Sequence, residues 1–363
     1  MTSTPSYKIQ FWAPNFSLQD GGIQQFSRLL HQALKKSPFV SSLYLVPLRP
    51  GFFGKILFLL HALLFLLAQR PDFILITHLH LARLYPLLRF LKIPYAVFCH
   101  GIECWNLSST RDRHALTHAA HILAVSRYTL ARIRSQLPAC NAQFSLFPDH
   151  IEAPPAPLSS KNDARIKLQL PPEATILLTV ARLSSSERYK GHREVIQLLP
   201  QLIKTNPNIL YHIVGDGDDR LPLAQEVSRL QLENAVHFSG RLSPQALELA
   251  YTACDAFVMP STGEGFGIVY LEALVRGRPV LAGNVDGSVD PLLDGKLGLL
   301  ADPRNPEELL EKLKCLLYEN PFPDPGYLKQ QALAHFGPEK LQLRTDILIH
   351  SYLFPQANKP ENS

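Results

Sequence analysis

The sequence has few charged residues and few cysteines for its length, and both shortages narrow the classes of function. Only 18% of its 363 residues are charged and 46% are hydrophobic, so the chain can fill two cores and is not typical of a disordered protein. The five cysteines are odd in number and include no Cys-x-x-Cys pair, which argues against a disulfide framework or a zinc knuckle. We therefore expect a cytoplasmic protein, and at roughly 100–200 residues per domain we expect two domains.

Targeting and nucleic-acid signals are also missing. The first thirty residues contain no basic start followed by an apolar run, so we expect no secretory signal. No Lys/Arg-rich run is interleaved with aromatic residues, and no zinc-finger or RNA-binding signature occurs, so we expect no nucleic-acid partner.

One apolar run requires a membrane test. Ile56–Ala68 is interrupted only by His61 and is shorter than the about 20 residues of a spanning helix. We expect a crossover helix that is buried against the first sheet. The alternative is an interfacial helix, favoured by basic residues on the next apolar segment: Arg83, Arg89 and Lys92.

The net charge of +5 hides an asymmetry between the two parts of the chain. Residues 1–155 contain 15 Lys and Arg against 6 Asp and Glu, whereas the remainder contains 21 against 25. A basic half of this kind can face phosphates or anionic lipid headgroups. We therefore expect that the first half of the chain could make a peripheral contact with an anionic membrane.

Short apolar runs alternate with helical patterns along the chain, which is typical of parallel sheets wound by crossover helices. Helical patterns include Ile23–Lys36 and Lys55–Gln69. The predicted strands of the first half are Ile9–Trp12, Phe73–Thr77, Tyr95–Cys99 and His121–Val125. Those of the second half are Ile176–Ala181, Leu210–Val214, Val236–Phe238, Ala256–Met259 and Val280–Ala282.

A proline-rich stretch, Phe147–Pro157, separates the two sets of strands and has the composition of a linker. We predict an α/β protein with two doubly wound, Rossmann-like domains that face each other across a cleft. The predicted divisions are residues 1–155 for the N-terminal domain and 156–326 for the C-terminal domain. A helix over residues 327–353 is expected to pack back on the first domain, and residues 354–363 are expected to be a disordered tail.

The strongest motif begins after the predicted strand Ala256–Met259. There, Glu264-Gly-Phe-Gly-Ile-Val-Tyr-Leu-Glu272 forms a glycine-rich turn that leads into a helix expected from Gly267 to about Arg276. Free N–H groups at a helix start favour a phosphate, and glycines let the backbone approach a ligand closely. Carboxylates on both sides accept hydrogen bonds from sugar hydroxyls. The pattern therefore suits a diphosphate that joins two sugars.

This motif resembles the Glu-x7-Glu signature of the retaining nucleotide-sugar glycosyltransferases of family four, which have the GT-B fold. The resemblance covers most of the chain and is denser in its second half. It implies that Glu264 contacts the donor sugar and that Glu272 binds the ribose diol. It also implies that Gly265, Phe266 and Gly267 offer backbone amides to the sugar and the distal phosphate.

Two cations follow the predicted strand Ile176–Ala181. Arg182 and Lys190 can neutralise a diphosphate as negative charge builds on the leaving group. The family has an Arg and a Lys at matching places, so the resemblance gives this role to these two residues. Arg188 is an alternative for either.

Weaker signals follow two further strands. Val214-Gly-Asp-Gly-Asp218 lacks the third glycine of a dinucleotide fingerprint, which disfavours an oxidoreductase. The resemblance implies that Gly215 shapes the nucleotide pocket and that Gly240 and Arg241 contact the base.

In the first half, Gly21 and Gly22 precede a helical pattern, and such a loop is an anion-binding nest. The resemblance implies that this loop closes over the diphosphate and that His100, after a strand, lies near the hydroxymethyl group of the donor sugar. His78 and His80 have no third ligand in the sequence, so we favour a structural role for both.

The resemblance implies a hexosyltransferase that moves a hexose from a UDP- or GDP-sugar to a saccharide or lipid-linked saccharide acceptor. In that family no protein nucleophile is clearly assigned, and the leaving diphosphate is favoured as the group that takes the acceptor's proton. No Asp-x-Asp pair stands where a diphosphate-bound metal would need one, so we expect no metal and no cofactor. A nucleotide-sugar epimerase on the same fold and a non-catalytic nucleotide-sugar-binding protein stay open as alternatives.

One departure from the family pattern follows the motif. The family has a Gly-Gly pair and a Glu after the next strand, whereas this chain has Gly287, Ser288 and Asp290 there. Donor preference, or a contact to the base or phosphate, is expected to differ accordingly.

Overall fold

The computed structural model describes residues 6–16, 21–154, 159–319, 321–322 and 324–353, with side chains described up to residue 350. It divides the chain into two compact units. The first comprises Met1–His150 and Phe336–Ser363, and the second comprises Ile151–His335.

The first unit contains a six-stranded parallel sheet in the order β2-β1-β3-β4-β5-β6. Chain order places β2 on one side of β1 and all later strands on the other. The order in which strands are added to the sheet therefore reverses between β1 and β3, and we call this position the reversal point. The strands are β1 (Tyr7–Pro14), β2 (Val40–Leu48), β3 (Phe73–Ile76), β4 (Tyr95–Cys99), β5 (His121–Ala124) and β6 (Gln143–Leu146).

Helices cover both faces of this sheet, and its strands β3, β4 and β5 are buried throughout. Its helices are α1 (Gly22–Lys36), α2 (Gly51–Gln69), α3 (Tyr85–Phe90), α4 (Ile102–Trp105), α5 (Thr110–Thr117) and α6 (Arg127–Gln136). One apolar cluster joins Phe26, Leu30 and Leu341 to Ile9 and Phe11 of β1. The other cluster contains residues of α2, α3 and α5, so these three helices share the opposite face of the sheet.

The expectation that the apolar run Ile56–Ala68 is buried is wrong for most of its surface. Only Gly54, Phe58, Ala62 and Leu66 of α2 are buried, and their spacing of four residues forms one narrow stripe. By length and composition, α2 is the one helix within the described ranges that could cross a membrane, and 17% of its most apolar 18-residue window is buried. A sheet can cover only one side of a helix, so the other sides of this helix stay exposed although they are apolar.

The second unit contains another six-stranded parallel sheet, in the order β12-β11-β10-β7-β8-β9. Strands β7 to β9 are added in one direction, and strands β10 to β12 are added in the other. The strand order therefore reverses between β7 and β10, which is the reversal point of this sheet. The strands are β7 (Thr175–Val180), β8 (Ile209–Val214), β9 (Val236–Gly240), β10 (Ala256–Met259), β11 (Val280–Gly283) and β12 (Leu299–Ala301). The predicted α/β class with two doubly wound sheets is confirmed.

The helices of the second unit pack an aliphatic core against this sheet, with Ile196, Leu199 and Leu309 among its buried members. The helices are α7 (Lys161–Lys167), α8 (His192–Ile203), α9 (Arg220–Arg229), α10 (Pro244–Ala253), α11 (Ile268–Leu274), α12 (Pro306–Lys314) and α13 (Pro325–Phe336).

The C-terminal segment differs from the single helix expected over residues 327–353. Gly337 separates α13 from α14 (Pro338–Ile347), and a π-helical turn, Leu348–Leu353, follows. In the first unit α14 packs on α1, where Gln342 Nε2 donates to the carbonyl of Ala33 over 3.2 Å. The first of the two stretches that make up the first unit ends at His150, and the tail predicted over residues 354–363 lies outside the described residues.

Candidate functional site

The loops after β7 and β10 lie side by side in the second unit, because these two parallel strands are neighbours in the sheet. The sheet reverses direction between them, and open α/β sheets bind ligands outside the carboxyl ends of strands at such a point. Arg182 and Lys190 belong to the loop after β7, and Glu264 belongs to the loop after β10. The sequence-predicted cations and the first motif glutamate therefore share one edge of this sheet.

Backbone contacts fasten the two loops to each other. The N–H of Thr262 donates to the carbonyl of Tyr189 over 2.9 Å. Gly191 follows a 3₁₀ turn, Ser185–Lys190, with a φ of 82°, and a Cβ there would lie 2.3 Å from the carbonyl oxygen of Pro260. Only glycine fits this conformation and this approach, so Gly191 lets the two loops touch.

A chain of alternating charges joins the two loops. Lys190 Nζ donates to Glu264 Oε1 over 2.6 Å and lies 3.7 Å from Glu187 Oε2. The other oxygen of Glu187 accepts a hydrogen bond from Arg182, whose side chain is exposed. Lys190, Glu187 and Glu264 are each largely buried, so solvent screens this network less than it would at an open surface.

Burial and charge act in opposite directions on Lys190. Burial alone would lower the pKa of its ammonium group, but the carboxylate of Glu264, together with Tyr189 and Glu187, raises that pKa above its ordinary value. Lys190 is therefore held as a permanent cation. Burial raises the pKa of the neighbouring phenol of Tyr189 to about 12, so that group stays neutral.

The remaining candidate cation is held elsewhere. Arg188 Nε donates to Asp219 Oδ1 over 2.8 Å, and Arg188 takes no part in the network of Lys190. Whether Arg188 could replace Arg182 or Lys190 stays a prediction.

The segment Glu264–Glu272 divides between surface and core. The side chain of Phe266 is buried, so its backbone alone could face a ligand. Gly267 has a φ of 89° and caps α11, which ends at Leu274 and is shorter than expected. Glu272 Oε2 accepts a hydrogen bond from the hydroxyl of Tyr251 over 2.8 Å.

The structure adds a residue that the sequence analysis missed. Asp286 accepts the backbone N–H of Glu264 over 2.6 Å and that of Ser288 over 2.9 Å. Burial raises the pKa of Asp286, and the two N–H donors oppose that rise. Gly287 is beside it, and a Cβ there would lie 2.1 Å from the carbonyl oxygen of Gly265. The region that departs from the family pattern thus supports the backbone of the motif.

The weaker signals of the second unit also come together. The N–H of Gly215 donates to the carbonyl of Gly240 over 2.8 Å, so the ends of β8 and β9 are joined. A Cβ on Gly215 would lie 1.8 Å from the carbonyl oxygen of Ala181. Close packing against this carbonyl is therefore enough to require glycine at this position. Gly240 has a φ of 66°, and a Cβ there would lie 3.6 Å from Nη1 of Arg220; Arg241 follows at the surface.

The three candidates of the first unit lie near its own reversal point. His100 follows β4, and its Nε2 is 2.9 Å from the carbonyl oxygen of Thr77, the residue after β3. Its ring packs edge-on against Phe26 of α1, with 4.9 Å between the ring centres. Gly21 caps α1 and Gly22 is the first residue of that helix. His100 therefore contacts α1, the helix that begins at Gly22.

Carboxylates surround His100. Glu103 Oε1 accepts the backbone N–H of His100 over 2.6 Å, and Asp149 Oδ1 lies 4.0 Å from Nδ1. Burial lowers the pKa of His100, while Glu103 and the Thr77 carbonyl oppose that change. The imidazole is therefore neutral near pH 7. Neither Glu103 nor Asp149 was singled out from the sequence, although Glu103 is close to His100 in the chain.

The histidine pair at the end of β3 has a local role. The N–H of His80 donates to Nδ1 of His78 over 3.2 Å, and burial lowers the pKa of His78 to about 4. Throughout the described ranges, no group of three or more His, Cys, Asp or Glu side chains is placed to hold a metal ion. Metal independence of the reaction stays a prediction.

Two doubly wound α/β units of this kind also occur in a solved glycosyltransferase-type structure. The sucrose-phosphate synthase of Thermosynechococcus elongatus matches 96% of this chain and 99% of its own, with a TM-score of 0.76 and 20% identity. At that identity the likeness shows the fold alone, which is of the GT-B type.

The sequence comparisons identify the second unit more closely. Residues 160–333, just under half of the chain, match the family described as "Glycosyl transferases group 1".

Curated relatives match over parts of their lengths. The chain is 28% identical over 251 residues to the 2-deoxystreptamine glucosyltransferase of Streptomyces kanamyceticus, which is 65% of this chain and 64% of the relative. It is 32% identical over 216 residues to the GDP-mannose-dependent alpha-(1-6)-phosphatidylinositol monomannoside mannosyltransferase of Mycolicibacterium smegmatis, which is 56% of this chain and 55% of the relative. The chain thus covers less than two thirds of either relative.

Proposed function

We propose that this protein is a retaining glycosyltransferase that moves a hexose from a UDP- or GDP-sugar to a saccharide or lipid-linked saccharide acceptor. The observation that carries the proposal is the buried pair of Lys190 and Glu264 at the reversal point of the sheet, in the part of the chain that matches the group 1 glycosyltransferase family. Synthesis of a surface polysaccharide or glycolipid in the cytoplasm is the proposed setting.

The charges at this edge suit departure of a nucleoside diphosphate. Lys190 and Arg182 are fixed cations, and negative charge on the β-phosphate grows as the glycosidic bond breaks. Cations that are already in place stabilise that charge without reorganisation. Glu187 and Glu264 hold these cations in position, and Glu264 also offers a carboxylate to the hydroxyls of the sugar. Glu272 is proposed to bind the ribose, with Gly215, Gly240 and Arg241 near the base.

Retention is proposed to occur without a protein nucleophile. Glu264 is engaged by Lys190, which lowers its nucleophilicity and favours a binding and stabilising role. The oxygen of the leaving diphosphate takes the proton of the acceptor hydroxyl while the new glycosidic bond forms. His100, Gly21 and Gly22 of the first unit stay candidates for substrate contacts. No metal is proposed, so activity should persist in excess chelator.

Two relatives support different classes of acceptor for this chain. The mannosyltransferase relative is GDP-mannose-dependent and acts on a phosphatidylinositol monomannoside, which supports a lipid-linked acceptor for this chain. The glucosyltransferase relative acts on 2-deoxystreptamine, which supports a soluble one.

A donor panel tests the proposal. The purified chain is incubated with UDP- and GDP-hexoses, with and without a saccharide acceptor, and release of nucleoside diphosphate is measured. We expect release from one nucleotide class, faster with acceptor, and a product that keeps the donor's anomeric configuration by NMR. An epimerised donor would identify an epimerase, and tight donor binding without any release would identify a binding protein; each result would overturn the proposal.

A further inference from the structure

The outward side of α2 is an apolar surface without a protein partner among the described residues. Five of its large apolar side chains are more than half exposed: Phe52, Phe53, Leu60, Leu64 and Leu67. An ordinary surface helix carries polar residues on this side, whereas a helix that is apolar all round is normally buried in protein or lipid. A contiguous exposed patch of this kind marks an interaction site.

The inward side of α2 is fastened to the sheet along its length. The ring of Phe58 packs edge-on against Trp12, with 5.5 Å between the ring centres. The hydroxyl of Tyr44 donates to Oε1 of Gln69 over 3.0 Å, at the far end of the helix. A helix held to a sheet from Phe58 to Gln69 cannot be surrounded by lipid. It can only lie on a surface, with its outward side presented.

Basic residues frame this apolar surface, and acids are almost absent. Between Asp20 and Glu103 the sequence contains nine Lys and Arg and a single acid, Asp72. Exposed Arg49, Lys55 and Arg70 lie before, within and after the helix. This arrangement is complementary to an anionic surface.

A second exposed element lies on the same face of the sheet as α2. In α3, the ring of Phe90 is 82% exposed and stands next to the exposed side chain of Arg89. Lys92, just after α3, is also exposed. An apolar ring beside two cations repeats the pattern of α2, and aromatic and basic side chains of this kind suit a membrane–water interface.

We propose that α2 and Phe90 dock the first unit on an anionic lipid bilayer, with α2 lying parallel to the membrane plane. Apolar side chains enter the boundary between headgroups and acyl chains, and the basic residues remain at the headgroup level. A second copy of the chain is a poorer occupant, because it would bring two sets of these cations together. The proposal does not depend on the proposed glycosyl transfer, since docking requires no donor.

Vesicle flotation tests the docking surface without measuring activity. Vesicles of phosphatidylcholine with phosphatidylglycerol are compared with vesicles of phosphatidylcholine alone, at low and high salt. We expect binding to the anionic vesicles that weakens as salt rises. The double variant Phe53→Ser/Leu64→Ser should bind at least tenfold more weakly, because two exposed apolar side chains no longer enter the lipid. Lys55→Ser should weaken binding to anionic vesicles by a smaller factor.

A matched control distinguishes binding through this surface from nonspecific adsorption of exposed apolar side chains to vesicles. Ile166 in α7 is 63% exposed and Leu64 is 62% exposed, so Ile166→Ser removes a comparable apolar group from the other unit. Ile166→Ser should float like the unmodified chain, and both serine variants should unfold at the unmodified temperature. Failure to float, equal binding by the double variant, or a stable dimer that Phe53→Ser separates would each overturn the proposal.

Discussion

Lys190 Nζ donates to Glu264 Oε1 over 2.6 Å, although 74 residues separate the two in the chain. The contact joins the loops after two neighbouring parallel strands, and both side chains are largely buried. An ion pair in this setting is costly to break from one side, because the remaining charge is left buried without its partner. The pair is therefore a sensitive point for both activity and stability.

Lys190→Ala should lower turnover by tenfold or more, which corresponds to about 1.4 kcal/mol of transition-state stabilisation. It should also lower the unfolding temperature, since Glu264 and Glu187 would face each other without the cation. Turnover and thermal unfolding are measured together. Lys190→Arg keeps the charge and should recover part of both losses. Arg304→Ala, which breaks an exposed ion pair in the same unit, should leave turnover unchanged. A Lys190→Ala enzyme with full turnover would remove this residue from the reaction.

Glu272→Ala should weaken donor affinity by at least tenfold if its carboxylate binds the ribose, since hydrogen bonds to charged groups contribute about 1.5–3 kcal/mol. Calorimetry with the donor measures this effect. Tyr251→Phe is the control, because it removes the hydroxyl that Glu272 accepts and leaves the carboxylate in place. Unchanged donor affinity in Glu272→Ala would eliminate the ribose role.

The same glutamate predicts a pH effect on stability. Burial raises the pKa of Glu272, while Tyr251 and Arg276 oppose the rise. A carboxyl group with a raised pKa in the fold stabilises it fully below the unfolded value and loses that contribution as pH rises through the folded value. Glu272→Gln should therefore unfold at a higher temperature than the unmodified chain near pH 7. The difference should vanish below pH 4.5, the ordinary pKa of the group.

Asp286 should prove necessary for the shape of the motif. Asp286→Ala leaves the buried N–H groups of Glu264 and Ser288 without an acceptor, at a cost of about 1–3 kcal/mol. Urea unfolding measures the stability, and steady-state kinetics measures the turnover. We expect both to fall, and we expect Asp286→Asn to be intermediate because it keeps one acceptor oxygen. Normal turnover with the expected loss of stability would show that Glu264 keeps its position without this support.

Much of the fold could be predicted from the sequence, and the strands that were missed have a common position. All nine predicted strands are present, and the three that were missed are β2, β6 and β12. Each of these three lies at the edge of its sheet. An edge strand is covered by neighbours on fewer sides, so it lacks the continuous apolar run that marks a buried strand. Pro47 in β2 is tolerated for the same reason.

Parts of the candidate site were not accessible to sequence reasoning. The resemblance assigned Glu264 and Lys190 to one site, but their direct ion pair depends on β7 and β10 being neighbours, which chain order does not reveal. Asp286 was missed because it resembles an ordinary turn residue until Glu264 is placed beside it. The exposure of α2 was not predicted, because an apolar pattern indicates that a helix is covered but does not indicate whether protein or lipid covers it.

Two glycine substitutions should separate packing from ligand approach. Gly287→Ala places a Cβ 2.1 Å from the backbone of Gly265, so something must shift, and we expect a loss of stability of about 1–3 kcal/mol. Gly21 has a φ of −71° and its nearest neighbour to a new Cβ is 4.0 Å away, so Gly21→Ala should change stability by less than about 1 kcal/mol. If Gly21 approaches a ligand, turnover should fall in Gly21→Ala despite normal unfolding. Normal turnover there would remove Gly21 from the site.

His212 should make the second unit sensitive to acid. Burial, together with a smaller contribution from neighbouring His237, lowers the pKa of His212 to about 3. A histidine whose pKa is lowered in the fold contributes stability that is complete above its ordinary pKa of 6.5 and is lost as pH falls toward the folded value. At pH 4 the loss is roughly 3 kcal/mol. His212→Gln keeps a partner for Ser239 and cannot be protonated in this range, so its unfolding temperature should fall less between pH 7 and pH 4. His80→Gln, at an exposed position, should follow the unmodified chain. Equal acid sensitivity in His212→Gln and the unmodified chain would assign the effect to other groups.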